Sequence, residues 1–451
     1  MKLKKLNEQT IVITGATSGI GLTTARAAAK AGARLVLVAR NETALRELTD
    51  EIKAAGGQAV YAAGDVADEA TLKRAADLAQ ENFGGFDTWV NNAGGAVYGR
   101  LTDVPVEDMR RLFETNFWGV VNGSLVAAEH LRSKGGAIIN LGSEVSDAPV
   151  PLQTVYSSSK HAVKGFTNTL RMELEGDELP ISVSLIKPTA IHTPFPENAK
   201  NYLPYEPQLP PPLYAPELVA EAILYCAENP KRDFFVGGMA KAHSSMALNA
   251  PRAYDKMNEM ILNSAQDSGE TSEPNRPDGL YQPNSKLNER GSQDRFVREH
   301  SVYQQTNLHP LISVGLLLGA GFGIAALLGA RGKSKNGENG KHRVNGARNF
   351  KPNRNLKIAE HAEVVGSDGA HVGTVDHDLG DRIKLRKRDA NAAGMHHEIP
   401  TAWVESVDSD ETVRLNKTAD EAIEQWTTSE KDMTQFKDSL NTLARHGGGS
   451  M

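Results

Sequence analysis

The sequence predicts an α/β fold for its N-terminal half, a parallel sheet covered by helices on both faces, followed by a transmembrane helix and a small β-rich domain. Three observations predict it. Residues 10–240 alternate strand-like and helix-like runs, the pattern of a parallel sheet. The first strand runs straight into a glycine-rich turn that opens a helix. Residues 311–330 form an unbroken apolar run, and the chain after 356 returns to short alternating strands. At 451 residues the chain exceeds one ordinary core, so separate domains are expected.

The runs follow in order. TIVITG is a buried strand, and GIGLTTARAAAKAG a helix ended by Gly32. RLVLVAR and ETALRELTDEIKAAGG repeat the pair, and QAVYAAGDV with a helix from Asp68 to Phe83 repeats it again. DTWVNNAG, a helix through Arg110–Phe117, a long helix to Arg132, and the strand AIINLGS come next. The helix holding Tyr156, the strand ISVSLIKP, the helix PELVAEAILYCAEN and the strand DFFVGG complete the sheet. One further amphipathic helix is expected over residues 239–262. Together residues 8–262 read as a Rossmann-type doubly wound parallel sheet, whose ligands sit at the carboxyl ends of the strands.

Two stretches carry chemistry. Gly15, Gly19 and Gly21 stand where strand meets helix, and glycines there let backbone N–H groups approach a pyrophosphate at a helix N-terminus. After the second strand an NAD-type site wants an acidic residue for the ribose hydroxyl. Arg40 stands there instead, and a guanidinium suits a 2′-phosphate, so NADP(H) is favoured over NAD(H). The plainer alternative is an exposed arginine after a strand. Tyr156 and Lys160 are one helical turn apart, which puts phenol and ammonium on one face. A free phenol has a pKa near ~10, and a fixed cation beside it lowers that value. Ser143, at the end of the AIINLGS strand, can hydrogen-bond the same substrate oxygen.

These motifs, with NNAG at 91–94, Asn116 and KPTAIHTP, resemble those of the short-chain dehydrogenase/reductase family over about residues 8–240. The resemblance implies an oxidoreductase that interconverts a carbonyl and an alcohol with a nicotinamide cofactor. It assigns catalysis to Asn116, Ser143, Tyr156 and Lys160, with Asn116 holding a relay water. It assigns the cofactor to Thr14, Gly15, Ser18, Gly19, Ile20, Gly21, Arg40, Asp65, Val66, Asn91, Ala93 and Gly94. Tyr156, Lys160, Pro188, Ile191 and Thr193 join that set around the nicotinamide. Thr189 departs from the family's usual glycine, and His192 reads as a loop residue. A homo-oligomer through helices around 105–130 and 156–175 is implied in the same way. The rival reading is a catalytically idle nucleotide-sensing or scaffold protein.

Residues 193–216 are rich in proline and aromatics. Phe195, Tyr202, Tyr205 and Tyr214 form either an apolar substrate lid or a stiff loop packed on the body. A lid and a membrane tether together point to an apolar substrate. Residues 263–308 are polar and read as a disordered linker. Residues 309–330 are the candidate transmembrane helix, about the length of a ~30 Å hydrocarbon core, with Gly315, Gly319 and Gly323 in one stripe. The basic linker 331–355 argues for a cytoplasmic position on that side, in conflict with a cytoplasmic catalytic domain at the other end of the span. The chain is expected at an inner or plasma membrane.

Residues 356–427 form the small β-rich domain, with an Asp368-Gly369 hairpin and a capping box from Thr418 to Glu421. It resembles small bacterial domains of unknown function, distantly like PRC-barrel modules, on VGSDGAHVGTVD, IPTAWVESVD and LNKTADE. Its histidines fit no metal-ligand spacing, so no metal is expected. Residues 428–451 are expected as a disordered tail. The net charge of −6 gives no basis for nucleic-acid binding. The one cysteine, Cys226, sits on an amphipathic helix and reads as a small buried apolar group, and a chain without a disulfide suits a reducing compartment. The start, MKLKKLNEQT, lacks the apolar run of a secretion signal.

Overall fold

A computed structural model describes residues 2–273, 276–283, 287–293, 295–308, 358–386, 396–408 and 411–428. The chain divides into two compact units, within residues 1–333 and 334–451. In the first, seven strands form one sheet: β1 (Thr10–Thr14), β2 (Arg34–Ala39), β3 (Gln58–Ala63), β4 (Thr88–Asn91), β5 (Gly136–Leu141), β6 (Ile181–Pro188) and β7 (Asp233–Val236). Their order is β7-β6-β5-β4-β1-β2-β3 and every pairing is parallel. The order reverses between β1 and β4, and a crevice opens there at the carboxyl ends of the strands.

The strand period of two builds two cores, one on each face. Ile11, Ile13, Leu35 and Leu37 point one way, against helices α1 (Gly19–Lys30), α2 (Glu42–Ala54) and a later helix, Pro216–Glu228. Val12, Val36, Val38 and Trp89 point the other way, against α3 (Glu69–Phe83), α5 (Gly119–Leu131) and α6 (Thr154–Gly176). Between α3 and α5 lie α4 (Val106–Phe113) and a π turn, Glu114–Trp118. Local signals set the helix ends. The Asn41 side chain accepts the Ala44 N–H at 3.0 Å, Asp68 accepts that of Ala70 at 3.0 Å, and Gly84 closes α3 at φ +77°. The helix expected over 239–262 is two, Gly238–Asn249 and Pro251–Ala265. Pro251 has no N–H to continue the first and starts the second.

Two expectations are corrected here. Residues 263–308, read as a disordered linker, pack on the first unit where described. Asp267–Thr271 pairs with Tyr205–Pro207, and Val297–Arg298 pairs with Leu213–Tyr214. A helix, Val302–Leu308, brings Gln304 into the core, where its amide donates to the Leu218 carbonyl at 2.8 Å and to Glu221 at 2.9 Å. Polar composition hid this because the segment is held by hydrogen bonds to the body, which leave no apolar period. The second correction concerns the transmembrane helix in the expected fold. No helix among the described residues is long and apolar enough to cross a membrane, and residues 309–330 lie outside the described residues. The longest described helix, α6, carries Lys160, Lys164, Arg171, Glu173 and Glu175. The basic linker 331–355 and the tail from 429 also lie outside the described residues.

The second unit is a seven-stranded sheet, ordered Val404–Val407, Val413–Leu415, Glu363–Val365, His371–Asp378, Arg382–Leu385, His397–Pro400 and Thr427–Thr428. Val364, Val375, Ile383, Leu385, Ile399 and Val413 fill its core. Gly369 takes φ +77° in the Asp368-Gly369 turn. Thr418 and Glu421 cap each other's backbone at 3.4 and 3.0 Å, opening the helix Ala419–Gln425.

Candidate active site

The end of β1 shapes one wall of the crevice. Gly15 sits at φ +67°, and a Cβ on Gly21 would stand 2.1 Å from the Gly15 carbonyl oxygen, so only glycine lets α1 cross so close. Asn92 braces this turn, donating to the carbonyls of Thr14 at 2.9 Å and Gly15 at 3.2 Å. Thr14 in turn accepts the N–H groups of Asn92 and Ala93 at 3.0 and 3.1 Å. The glycine turn opens onto a cavity of about 280 Å³. Gly15, Ser18, Gly19, Ile20, Gly21, Arg40, Asp65, Val66, Ala93 and Gly94 line one part of it. Ser143, Tyr156, Lys160, Pro188, Ile191, Thr193 and Phe195 line the rest.

Two expected cofactor residues face elsewhere. Thr14 ties β1 to β4, as above. Asn91 is buried in a polar network, accepting from Trp89 Nε1 at 2.8 Å and donating to Asn140 at 2.8 Å and Ser124 at 3.0 Å. Both shape the crevice from behind.

Of the residues expected in catalysis, Ser143 follows β5 and Tyr156 and Lys160 lie on α6, all lining the cavity, while Asn116 on the π turn is not among its lining residues. Burial pushes the Tyr156 phenol up to about 12, against the downward pull of Ser143, and nearby Glu144 raises it further. Lys160 is 4 % exposed, donates to the Leu141 carbonyl at 2.7 Å and lies 5.9 Å from the Tyr156 ring centre. Burial brings its pKa down to about 8. The sequence expectation that the ammonium dominates the phenol is therefore corrected: desolvation dominates both groups. Asn116 is fully buried. Its side chain accepts from the Gly95 N–H at 2.9 Å and donates to the Gly95 carbonyl at 3.0 Å and Ser159 at 3.1 Å. It pins the NNAG loop to α6, with its amide already engaged.

Of the four aromatics expected as a lid, Phe195 alone faces the cavity, its ring 5.3 Å from that of Tyr156. Tyr202 donates to Asp108, Tyr205 lies in a strand paired with 267–271, and Tyr214 is 3 % exposed in the core. These three support the packed-loop alternative. His192 bonds the Gln293 carbonyl at 3.0 Å, away from the cavity lining.

Sequence reasoning missed several wall residues. Glu144 follows Ser143 and accepts from Thr189 at 2.9 Å and bonds His243 Nδ1 at 3.0 Å. Thr189, the departure from glycine, thus has a partner. Gln153 was adjacent to the Tyr156 motif and carried no signal beyond that. Gly279, Leu280 and Pro283 come from the segment read as a linker.

Comparison with known proteins settles the family. A model described as short chain dehydrogenase matches residues 9–202. The uncharacterized oxidoreductase YxnA of Bacillus subtilis is 45% identical over 322 residues, covering 71% of this chain and 90% of that protein. The chain belongs to the short-chain dehydrogenase family. An uncharacterized oxidoreductase of Methylorubrum extorquens is 34% identical over 182 residues, 40% of this chain and 73% of its own length. A short-chain dehydrogenase/reductase from Burkholderia phymatum, solved in complex with NAD, superposes with TM-score 0.51 at 25% identity. The match covers 56% of this chain and 96% of that one. Residues 358–423 match DUF2171, a domain conserved in bacteria and uncharacterized, in line with the expected small bacterial module. As a short-chain dehydrogenase the protein is an oxidoreductase, and the cavity described above is its candidate active site.

Proposed function

We propose that this short-chain dehydrogenase interconverts a carbonyl and an alcohol with NADP(H), using Tyr156 as the proton donor and acceptor. One observation carries the reading: Ser143, Tyr156 and a buried Lys160 line the same cavity as the glycine turn. The residues fit a dinucleotide. The glycine turn leaves no side chain between the α1 N-terminus and a pyrophosphate, and a Cβ on Gly94 would stand 3.3 Å from Asn116 and 3.8 Å from Lys160 Nζ. Arg40, on the cavity wall after β2, suits the 2′-phosphate that distinguishes NADP from NAD.

When bound, the nicotinamide supplies or accepts the hydride. The protein's part is proton transfer and charge stabilisation. Ser143 and Tyr156 donate hydrogen bonds to the substrate oxygen as negative charge grows there, and Tyr156 then releases its proton. A phenol held at about 12 keeps that proton at neutral pH until the developing alkoxide takes it. Val150, Phe195 and Leu209 give the substrate side an apolar wall, with Glu144 and Gln153 as its polar groups. The active form is a homo-oligomer in this proposal.

Tyr156→Phe removes the proton and keeps the ring. Turnover should fall by ~10²–10⁴, the usual contribution of a positioned acid, with NADPH binding retained in a fluorescence titration. Unchanged turnover removes Tyr156 from the mechanism. NADPH binding by the wild type without turnover on ketones, aldehydes or quinones favours an idle nucleotide sensor.

A further inference from the structure

Beyond the residues the family model matches, Gly279, Leu280 and Pro283 line the groove, and Leu287–Arg290 lie beside the start of α1. They are fastened there at several points. Arg40 donates to the carbonyls of Gly279 at 2.5 Å, Leu280 at 3.3 Å and Gln282 at 3.5 Å. From α4, Arg111 bonds Asp65 with one arm and the Leu280 carbonyl with Nε at 3.1 Å. Asp108, on the same helix, accepts the Tyr281 phenol at 2.7 Å. The Leu280 side chain is 6 % exposed, set among Val97, Val104, Leu112 and Val155. On the other side of the groove, the Gly19 N–H at the start of α1 donates to the Asn288 carbonyl at 2.8 Å, and Arg26 pairs with Glu289 at 2.7 Å.

We propose that these residues form a strap that closes the adenosine side of the cofactor groove, so that the dinucleotide enters and leaves only when the strap releases Arg40 and α4. The proposal rests on the cofactor reading above. The Arg40 guanidinium on the cavity wall and the Gly19 N–H at the start of α1 are the strap's anchors. Gly279, Leu280 and Pro283 line the cavity together with Gly15, Gly19 and Asp65, so the strap is a wall of the groove and not a separate surface feature. Its fastenings are hydrogen bonds, three ion pairs (Asp278 with Lys200, Glu289 with Arg26, Arg290 with Glu217) and the packed side chains of Leu280 and Leu287, all made outside the strands of the seven-stranded sheet. Exchange of the cofactor then requires a segment motion, a step that limits turnover in many enzymes.

The test is stopped-flow NADPH fluorescence on the full chain, wild type against the double variant Leu280→Ser with Tyr281→Phe. The double variant should show association and dissociation both faster by about tenfold, which corresponds to ~1.4 kcal/mol less to open, with Kd moving much less than either rate. Unchanged rates overturn the strap. So does a faster dissociation with unchanged association, which marks the loss of an ordinary contact. Should the variant fail to fold, hydrogen exchange on the wild type decides. Amides of 279–282 and 287–289 should exchange more slowly at saturating NADPH, and exchange that is unchanged or faster overturns the proposal. A wild type that takes up neither NADPH nor NADH sinks the cofactor reading and the strap together, whereas NADPH uptake with unaltered rates sinks the strap alone.

Discussion

Lys160 shows what burial does to a single residue. Its ammonium is held at the Leu141 carbonyl with a pKa of about 8, against 10.5 for an ordinary lysine. Below pH 8 the folded and unfolded chains both carry the charge, and burying it costs about 3 kcal/mol. Between about pH 8 and 10.5 the unfolded chain binds more protons than the folded one, so stability from this group rises with pH. Tyr156 acts in the opposite sense only above its ordinary value of 10.0. Chemical denaturation of wild type and Lys160→Met from pH 7 to 10 should show the wild type gaining on the variant by as much as ~3 kcal/mol, with the gain beginning near pH 8. A gap that does not change with pH would mean that Lys160 stays charged throughout. The Tyr156–Lys160 pair was legible in the sequence because helical spacing is local. Which force dominates its pKa was not, because burial is set by strands and loops far away in the chain.

At the scale of elements, the strands, helices and glycine turn were legible because each carries its own period or cap. The segment after 265 carries neither. Its hold on the body is made of Gln304 in the core, Leu308 at 7 % exposure against the first core cluster, and two short strand pairings. The same long-range character hid Leu280 and Arg111 from the list of site residues. Even the aromatic stretch at 193–216 was readable only as two alternatives, since composition does not say which way a ring points. The consequence is testable by truncation. A chain ending at 308 should melt as the first unit does in the full protein. One ending at 270 should melt lower by at least ~5 °C, given 2–4 °C per kcal/mol for a unit of this size. Equal melting temperatures would show that residues 271–308 add nothing to the first unit's stability.

At the scale of the molecule, the first unit leaves several large apolar side chains in water on the helices beside the active site. Val106 on α4, Trp118 at the π turn, Leu125 on α5 and Met172 on α6 are 51, 47, 56 and 63 % exposed. Other residues of these helices serve the site: Asp108 and Arg111 hold the strap, Asn116 pins the NNAG loop, and Tyr156 and Lys160 line the cavity. In the proposed homo-oligomer, a second copy packed on these helices would cover such apolar residues and brace the helices that line the cavity. The proposed self-association would then be coupled to catalysis through α4, α5 and α6. The combination Leu125→Glu with Met172→Glu places like charges on α5 and α6 without touching the cavity. Sedimentation velocity should show the wild type as an oligomer and the variant as a monomer, with turnover lower in the variant and restored in part at high protein concentration. A wild type that already sediments as a monomer removes the assembly, and a monomeric variant with full turnover removes the coupling.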